Sequence, residues 1–95
     1  MKLVLQYSTT DGATHTVTTN IWVITQWERK YRRKASDLAQ GIGIEDLAFL
    51  AYEGSKVHGI TVPAEFDLFV KRLESIDVLD AEQPNPTDAA PTDGN

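Results

Sequence analysis

The feature that most constrains this chain is an unbroken apolar run from Leu47 to Tyr52, inside a segment with helix signals at both ends. Glu45 and Asp46 put negative charge in the first turn, where the helix dipole favours it, and Gly59 is a residue type that closes helices. A helix that is apolar on more than one side needs cover on more than one side. We therefore predict a central helix over about residues 44–58, covered by neighbouring helices or by another molecule.

Two runs near the N-terminus alternate with the period of a β-strand. The first is Lys2 to Tyr7, and the second is Thr14 to Thr19, in which β-branched residues dominate. Asp11 and Gly12 lie between them and favour a hairpin turn, because both residue types tolerate positive φ. We predict a β-hairpin over residues 2–19. Since a lone hairpin is marginal in water, it must pack on the helices or pair with another chain.

Two further helices are predicted, over about residues 21–34 and 63–76. Thr19 and Asn20 offer N-caps for the first, and Pro63 suits the first turn of the second. The second has the most regular helical spacing in the chain, with apolar side chains at Phe66, Phe69, Val70, Leu73 and Ile76. A short helical piece over residues 38–40 is expected between the first helix and the central one.

The composition changes at Ala81. Residues 81–95 hold three of the four prolines, only acidic charges and no large apolar side chain. Such a segment cannot bury enough surface to offset its ordering entropy, so we predict a disordered tail. The expected fold class is α+β, with one domain over residues 1–80 formed by the hairpin and a small bundle of three main helices. A domain of about 80 residues is marginal alone, which makes a homo-oligomer a reasonable expectation.

Charge is distributed unevenly along the chain, whose formal net charge is -5. The stretch Arg29 to Lys34 holds five of the nine Lys and Arg residues. Basic side chains near aromatics can grip a phosphate backbone and stack on bases. In an otherwise acidic molecule, the same polarised surface suits an acidic protein partner at least as well. A helix-turn-helix is disfavoured because the helix that would enter the groove is mostly apolar. We therefore rank nucleic-acid binding below protein binding.

No residue pattern indicates catalysis. Cysteine is absent, and neither His15 nor His58 has a second ligand at metal-binding spacing. No nucleophile motif or phosphate loop is present. We expect no enzyme activity, catalytic residue, cofactor or metal ion. The chain shows no secretory signal and no apolar run of roughly 18 residues, so we expect a soluble cytoplasmic protein that does not enter a membrane.

Two tryptophans suggest an interaction surface. Trp22 and Trp27 lie five residues apart and so face different sides of a helix. One is expected in the core, and the other to join side chains of the central helix in an exposed patch. The alternative, that the fold covers both, stays open. Because aromatic and Arg residues are enriched where interfaces carry their energy, the candidate partner-binding residues are Trp22, Trp27, Tyr31, Phe49, Leu50, Tyr52, Arg29, Arg32 and Arg33.

An ordered set of short motifs runs along the chain. It comprises Trp27-Glu28, Tyr31 and the basic stretch, then Gly43 to Leu47, Leu50 to Tyr52, Gly59, Thr61 to Pro63, Phe66, Phe69, and Pro84 to Thr87. Over about residues 20–90 the chain resembles the small tail assembly chaperones of long-tailed actinobacterial phages (siphoviruses), or closely related tail-region proteins.

The resemblance implies a protein of the host cytoplasm that binds the tape-measure protein, and tail-tube subunits, before the tail tube polymerises. Such chaperones are commonly made in two lengths by ribosomal frameshifting and are absent from the finished virion. Several of them are described as mainly helical, and the predicted hairpin departs from that. A structural tail or head–tail connector component of the virion therefore stays open as an alternative.

Overall fold

The structure of the protein is a computed structural model, and it describes residues 2–82. Its elements in chain order are β1 (Lys2–Thr9), β2 (Thr14–Thr18), α1 (Ile21–Tyr31), a 3-10 helix (Ala35–Gln40), α2 (Ile44–Val57), α3 (Phe66–Arg72) and β3 (Leu73–Glu82). The predicted α+β class is confirmed. The predicted disordered tail falls largely on residues 83–95, which lie outside the described residues, whereas Ala81 and Glu82 belong to β3.

The strands form an antiparallel sheet in the order β2-β1-β3. The predicted hairpin is confirmed by the pairing of β1 with β2, in which Leu5 lies opposite Val17. The alternation of side chains along each strand determines which face of the sheet is buried. One face buries Leu3, Leu5, Tyr7 and Val17, while the other carries exposed or half-buried polar side chains such as Thr16. All the helical packing described below lies on the first face.

The predicted helix over residues 63–76 is confirmed for its middle seven residues and wrong at both ends. The helix begins at Phe66 and ends at Arg72, and the chain then continues as β3. The apolar spacing was compatible with both structures, because Ile76 can bury its side chain from either one. The strand prevails because β1 offers backbone partners along its whole length, with Ile76 opposite Tyr7. The central position of β1 therefore depends on a strand whose first four residues, 73–76, were predicted as helix.

The other helix predictions are confirmed with small changes at their ends. In α1 the Asn20 side chain accepts a hydrogen bond from the Val23 N–H at 2.9 Å, which caps the helix as expected. The helix ends at Tyr31 instead of residue 34, because Arg32 adopts the left-handed conformation with φ of 54°. The expected short helical piece is the 3-10 helix, and α2 has nearly its predicted bounds.

The core lies between α2 and the sheet, and α1 and α3 both pack against α2. Gly54 permits a close approach, because a Cβ added there would lie 3.3 Å from the Val17 side chain. Beside it, the buried hydroxyls of Tyr7 and Ser55 are hydrogen-bonded at 2.7 Å. A small residue and a short hydroxyl thus face the sheet on α2, which lets the helix lie close to β1 and β2.

Candidate interaction surfaces

Four of the nine predicted partner-binding residues are part of the core. Trp27, Phe49, Leu50 and Tyr52 are all buried by the fold itself. Their prediction as binding residues is wrong, because α1, α3 and the sheet together cover the apolar run of α2, and Trp27 packs against α2. Of the two kinds of cover predicted for the central helix, the fold itself therefore supplies it, and the apolar run does not need another molecule.

Edge-to-face and tilted aromatic contacts account for much of this cover. Consecutive ring centroids lie 5.1–5.7 Å apart through the series Tyr31, Phe49, Phe66, Tyr52, Phe69 and Tyr7. The hydroxyl of the buried Tyr52 side chain is also hydrogen-bonded, since it donates to the Pro63 carbonyl at 2.7 Å. Phe49 of α2 thus packs between Tyr31 of α1 and Phe66 of α3 instead of facing another protein.

The other tryptophan is exposed, as one of the two alternatives predicted. Trp22 leaves 55% of its surface in water, and its neighbour Ile21 leaves 81%. Both belong to the first turn of α1, and we call this pair the Trp22 patch. Two large apolar side chains, adjacent and uncovered, form a small surface of the kind that protein partners bury. Ile21 was not among the predicted residues, although its position next to Trp22 at a helix start was visible.

The basic residues at the end of α1 lie at the surface. Arg29, Arg32 and Arg33 are all exposed, as a binding role requires. Arg33 is partly engaged within the protein, because its Nε lies 3.6 Å from Asp37 and its guanidinium lies 5.5 Å from the Trp27 ring. Within residues 2–82, Arg29, Arg32 and Lys34 form no ion pair. Three cationic side chains therefore remain available at this end of the helix.

A groove of about 390 Å³ lies where α1, α2 and α3 meet. Ile44, the first residue of α2, contributes an apolar side chain that is 70% exposed. The Lys30 ammonium crosses the groove 5.1 Å from the Phe66 ring centroid, a cation–π contact. The groove is lined by Lys30, Ile44, Glu45, Ala48, Phe66, Asp67 and Val70. Apart from Lys30, which belongs to the basic stretch, none of these was predicted to bind a partner, because their proximity depends on how the three helices pack.

Tyr31 is half-buried and acts as a structural link as well as a candidate contact. Its hydroxyl donates a hydrogen bond to the Glu45 carboxylate at 2.9 Å and so ties α1 to α2. Burial, followed by that hydrogen bond and the negative charge of Glu45, raises the pKa of Tyr31 well above its ordinary value of 10.0.

We expect this shift to make the protein sensitive to alkali. Because the folded-state pKa of Tyr31 is raised, its contribution to stability is fully present below pH 10.0 and is lost as the pH rises above that value. Ultraviolet titration of tyrosinate should show a late-titrating group that disappears in Tyr31→Phe and titrates earlier in Glu45→Gln. An unchanged tyrosinate titration in Glu45→Gln contradicts the assignment.

A second cavity, of about 270 Å³, lies between the hairpin turn and the connection from α2 to α3. Its wall includes His15, whose ring centroid lies 5.3 Å from that of Tyr7. The other histidine, His58, lies beside the backbone of Thr18, with Nε2 3.1 Å from the Thr18 nitrogen. Both histidines thus have structural partners. Within residues 2–82, no three His, Cys, Asp or Glu side chains come together in a way that could hold a metal ion.

Comparisons with protein families, with curated proteins and with solved structures find no match for this chain. Among residues 2–82, no helix has the length and apolar character needed to cross a bilayer. The surfaces described above are therefore the basis for a functional assignment. They comprise the Trp22 patch, the basic end of α1 and the groove between the helices.

Proposed function

We propose that this chain binds other proteins through the Trp22 patch, and that it is a tail assembly chaperone of a long-tailed actinobacterial phage. In this role it binds the tape-measure protein and tail-tube subunits in the host cytoplasm during tail morphogenesis. The observation that carries protein binding is the exposure of Trp22 and Ile21 side by side on one helical turn. The ordered motifs of the chain support the more specific role.

The chemistry of the surface fits a protein client. Tryptophan and arginine are the residue types that most often dominate binding energy at interfaces, and α1 presents Trp22 at one end and Arg29 and Arg32 towards the other. Burying apolar surface is worth roughly 25 cal/mol per Å², so one small patch gives a weak contact. Several copies along an extended client add such contacts together.

Co-expression with the tape-measure protein of the same phage tests the proposal. We expect the client to become more soluble and to co-purify with the wild-type chain. Trp22→Ala should weaken the complex by roughly 30-fold, the loss typical of truncating a strong interface residue. Leu68→Ala is the matched control, because it also truncates an exposed apolar side chain on a helix. If the client neither co-purifies nor gains solubility, the chaperone proposal is wrong.

A structural role in the virion is the main alternative, and it predicts a different protein composition of purified particles. A tail or connector subunit must be present in purified particles, whereas a chaperone must be missing from them. Mass spectrometry of purified virions therefore separates the two roles, whatever the result of the co-expression experiment.

Nucleic-acid binding is a second candidate, favoured by one observation. Arg29, Arg32 and Lys34 are exposed cations without an ion-pair partner in the described part of the chain. A regulator that used them should shift DNA in a salt-dependent way, and replacing the three residues with alanine should abolish the shift. The acidic surface elsewhere in the protein argues against this role and in favour of a protein client.

A further inference from the structure

The two edges of the sheet differ in length and in how they are covered. The outer edge of β2 is only five residues long, and its last residue, Thr18, is met there by the His58 ring. The outer edge of β3 is ten residues long, and within residues 2–82 no other strand pairs with it. Its pairing with β1 is regular from Ser75 to Val78 and from Asp80 to Glu82, and irregular at Glu74 and Leu79. At about 3.3 Å per residue, this edge spans roughly 33 Å. An unpaired edge of that length is a template for another strand.

The alternation of hydrogen bonds indicates which groups of β3 face the open edge. Thr18 turns its backbone away from β1, so its partner Val4 directs its own backbone groups towards β3. Two residues along β1, Gln6 does the same and lies opposite Asp77. Val78, the next residue of β3, therefore presents its N–H to the open edge.

Charge decides which kind of strand fits this edge. The charged side chains that the structure describes in β3 are all acidic, namely Glu74, Asp77 and Asp80. A second copy of β3 paired along this edge would bring carboxylates against carboxylates, and like charges on paired strands destabilise a sheet. A strand carrying lysine or arginine gains from the same contacts. The edge thus favours a basic partner over a second copy of this chain.

Apolar side chains complete the recognition pattern. Val78 is partly exposed, and Leu79 leaves 54% of its surface in water. Adjacent strand residues point to opposite faces of a sheet, so Asp77 and Val78 offer an acidic contact on one face and an apolar contact on the other. A partner strand that alternates basic with apolar residues matches both faces at once.

We propose that the open edge of β3 receives an extended segment of another protein as a fourth strand, and that this segment alternates basic with apolar residues. The inference rests on the proposed function only in that both require a protein partner. It uses a different surface, because backbone hydrogen bonds to β3 supply the affinity and its side chains supply the preference.

Two synthetic ten-residue peptides test this proposal. One alternates lysine with valine, and the other alternates glutamate with valine. We expect the lysine peptide to bind the full chain at least about tenfold more tightly, since two or more favourable charge pairs replace unfavourable ones. Its binding should weaken as salt is added. Amide exchange at Ile76 and Val78 should slow when it binds. Equal binding of both peptides, or protection confined to other elements, overturns the proposal.

Variants of β3 sharpen the test. Val78→Pro removes the outward N–H, and we expect it to reduce peptide binding by tenfold or more while circular dichroism shows that the fold persists. Should that variant fail to fold, Asp77→Lys combined with Asp80→Lys reverses two exposed charges and should invert the preference between the peptides. Trp22→Ala is the matched control and should leave peptide binding unchanged. Loss of tape-measure binding and loss of peptide binding are thus separate results.

Discussion

Trp27→Ala is expected to lower the free energy of unfolding by about 3–5 kcal/mol, the usual cost of truncating a fully buried aromatic side chain. Trp27 has no exposed surface, and its indole N–H donates to the Asp46 carboxylate at 2.9 Å. The substitution leaves a cavity between α1 and α2 and also removes that hydrogen bond. Since folded domains have only about 5–15 kcal/mol of stability, a large unfolded population should appear. Urea denaturation followed by circular dichroism measures the loss.

The same helix supplies the control for this experiment. Trp22→Ala removes an identical side chain five residues away, but from a position that is more than half exposed, and should lower the free energy of unfolding by only about 1 kcal/mol. The two variants should therefore separate stability from binding, with Trp27→Ala unfolding the protein and Trp22→Ala releasing the client. Similar losses of stability in both variants contradict the assignment of one indole to the core and the other to the surface.

Phe69→Ala is expected to cost a similar amount, about 3–5 kcal/mol. Phe69 is the one fully buried side chain of α3, and its ring lies 5.1 Å from Tyr52 and 5.3 Å from Tyr7. A helix of seven residues is too short to be stable by itself, so this contact holds α3 against the core. Because β3 follows α3 directly, the substitution should also destabilise the sheet.

Amide hydrogen exchange can measure how far the destabilisation extends from α3 into the sheet. In Phe69→Ala, amides of α3 and of β3 should exchange faster than in the wild-type chain, while α2 loses less protection. Leu68→Ala, at the adjacent exposed position, should leave both stability and exchange nearly unchanged. Unaltered stability in Phe69→Ala contradicts the view that this residue anchors α3.

The two surfaces proposed for binding recognise different features of a partner. The Trp22 patch offers apolar contact area from a helix, whereas the edge of β3 offers backbone hydrogen bonds and negative charge. A client with an apolar face and a basic extended segment can use both. The Lys and Arg residues of α1 add an opposite charge at a third place, so the orientation of a bound client depends on its own charge pattern.

The helices and strands that have strong signals in their own local sequence were predicted correctly. The helix α2 and the hairpin follow from apolar periodicity, from the Asp11-Gly12 turn and from the charges at Glu45 and Asp46. The capping of α1 by Asn20 was also predictable, because that bond joins residues close in sequence. Each of these features depends on chain segments of a few residues, whose conformational preferences are present before the chain folds.

The candidate site was harder to predict than the fold. Exposure of Trp22 was one of two alternatives, and the exposure of Arg29, Arg32 and Arg33 agreed with their charge. Phe49, Leu50 and Tyr52 were wrongly predicted to bind a partner. An apolar run indicates that its side chains must be buried, but it does not indicate whether the same chain or another protein buries them. The groove lined by Ile44 and Val70 had no sequence signal, since its residues come from separate helices.

The sequence alone determined the hairpin, the central helix and the cap of α1, because turn chemistry, periodicity and capping act between near neighbours. Only the tertiary structure decided that residues after Arg72 form a strand, and that the aromatic side chains of α2 are hidden. Both outcomes depend on partners far along the chain. Residues 73–82 extend because β1 offers this segment backbone hydrogen-bond partners, and Tyr52 is buried because Phe66 and Phe69 cover it.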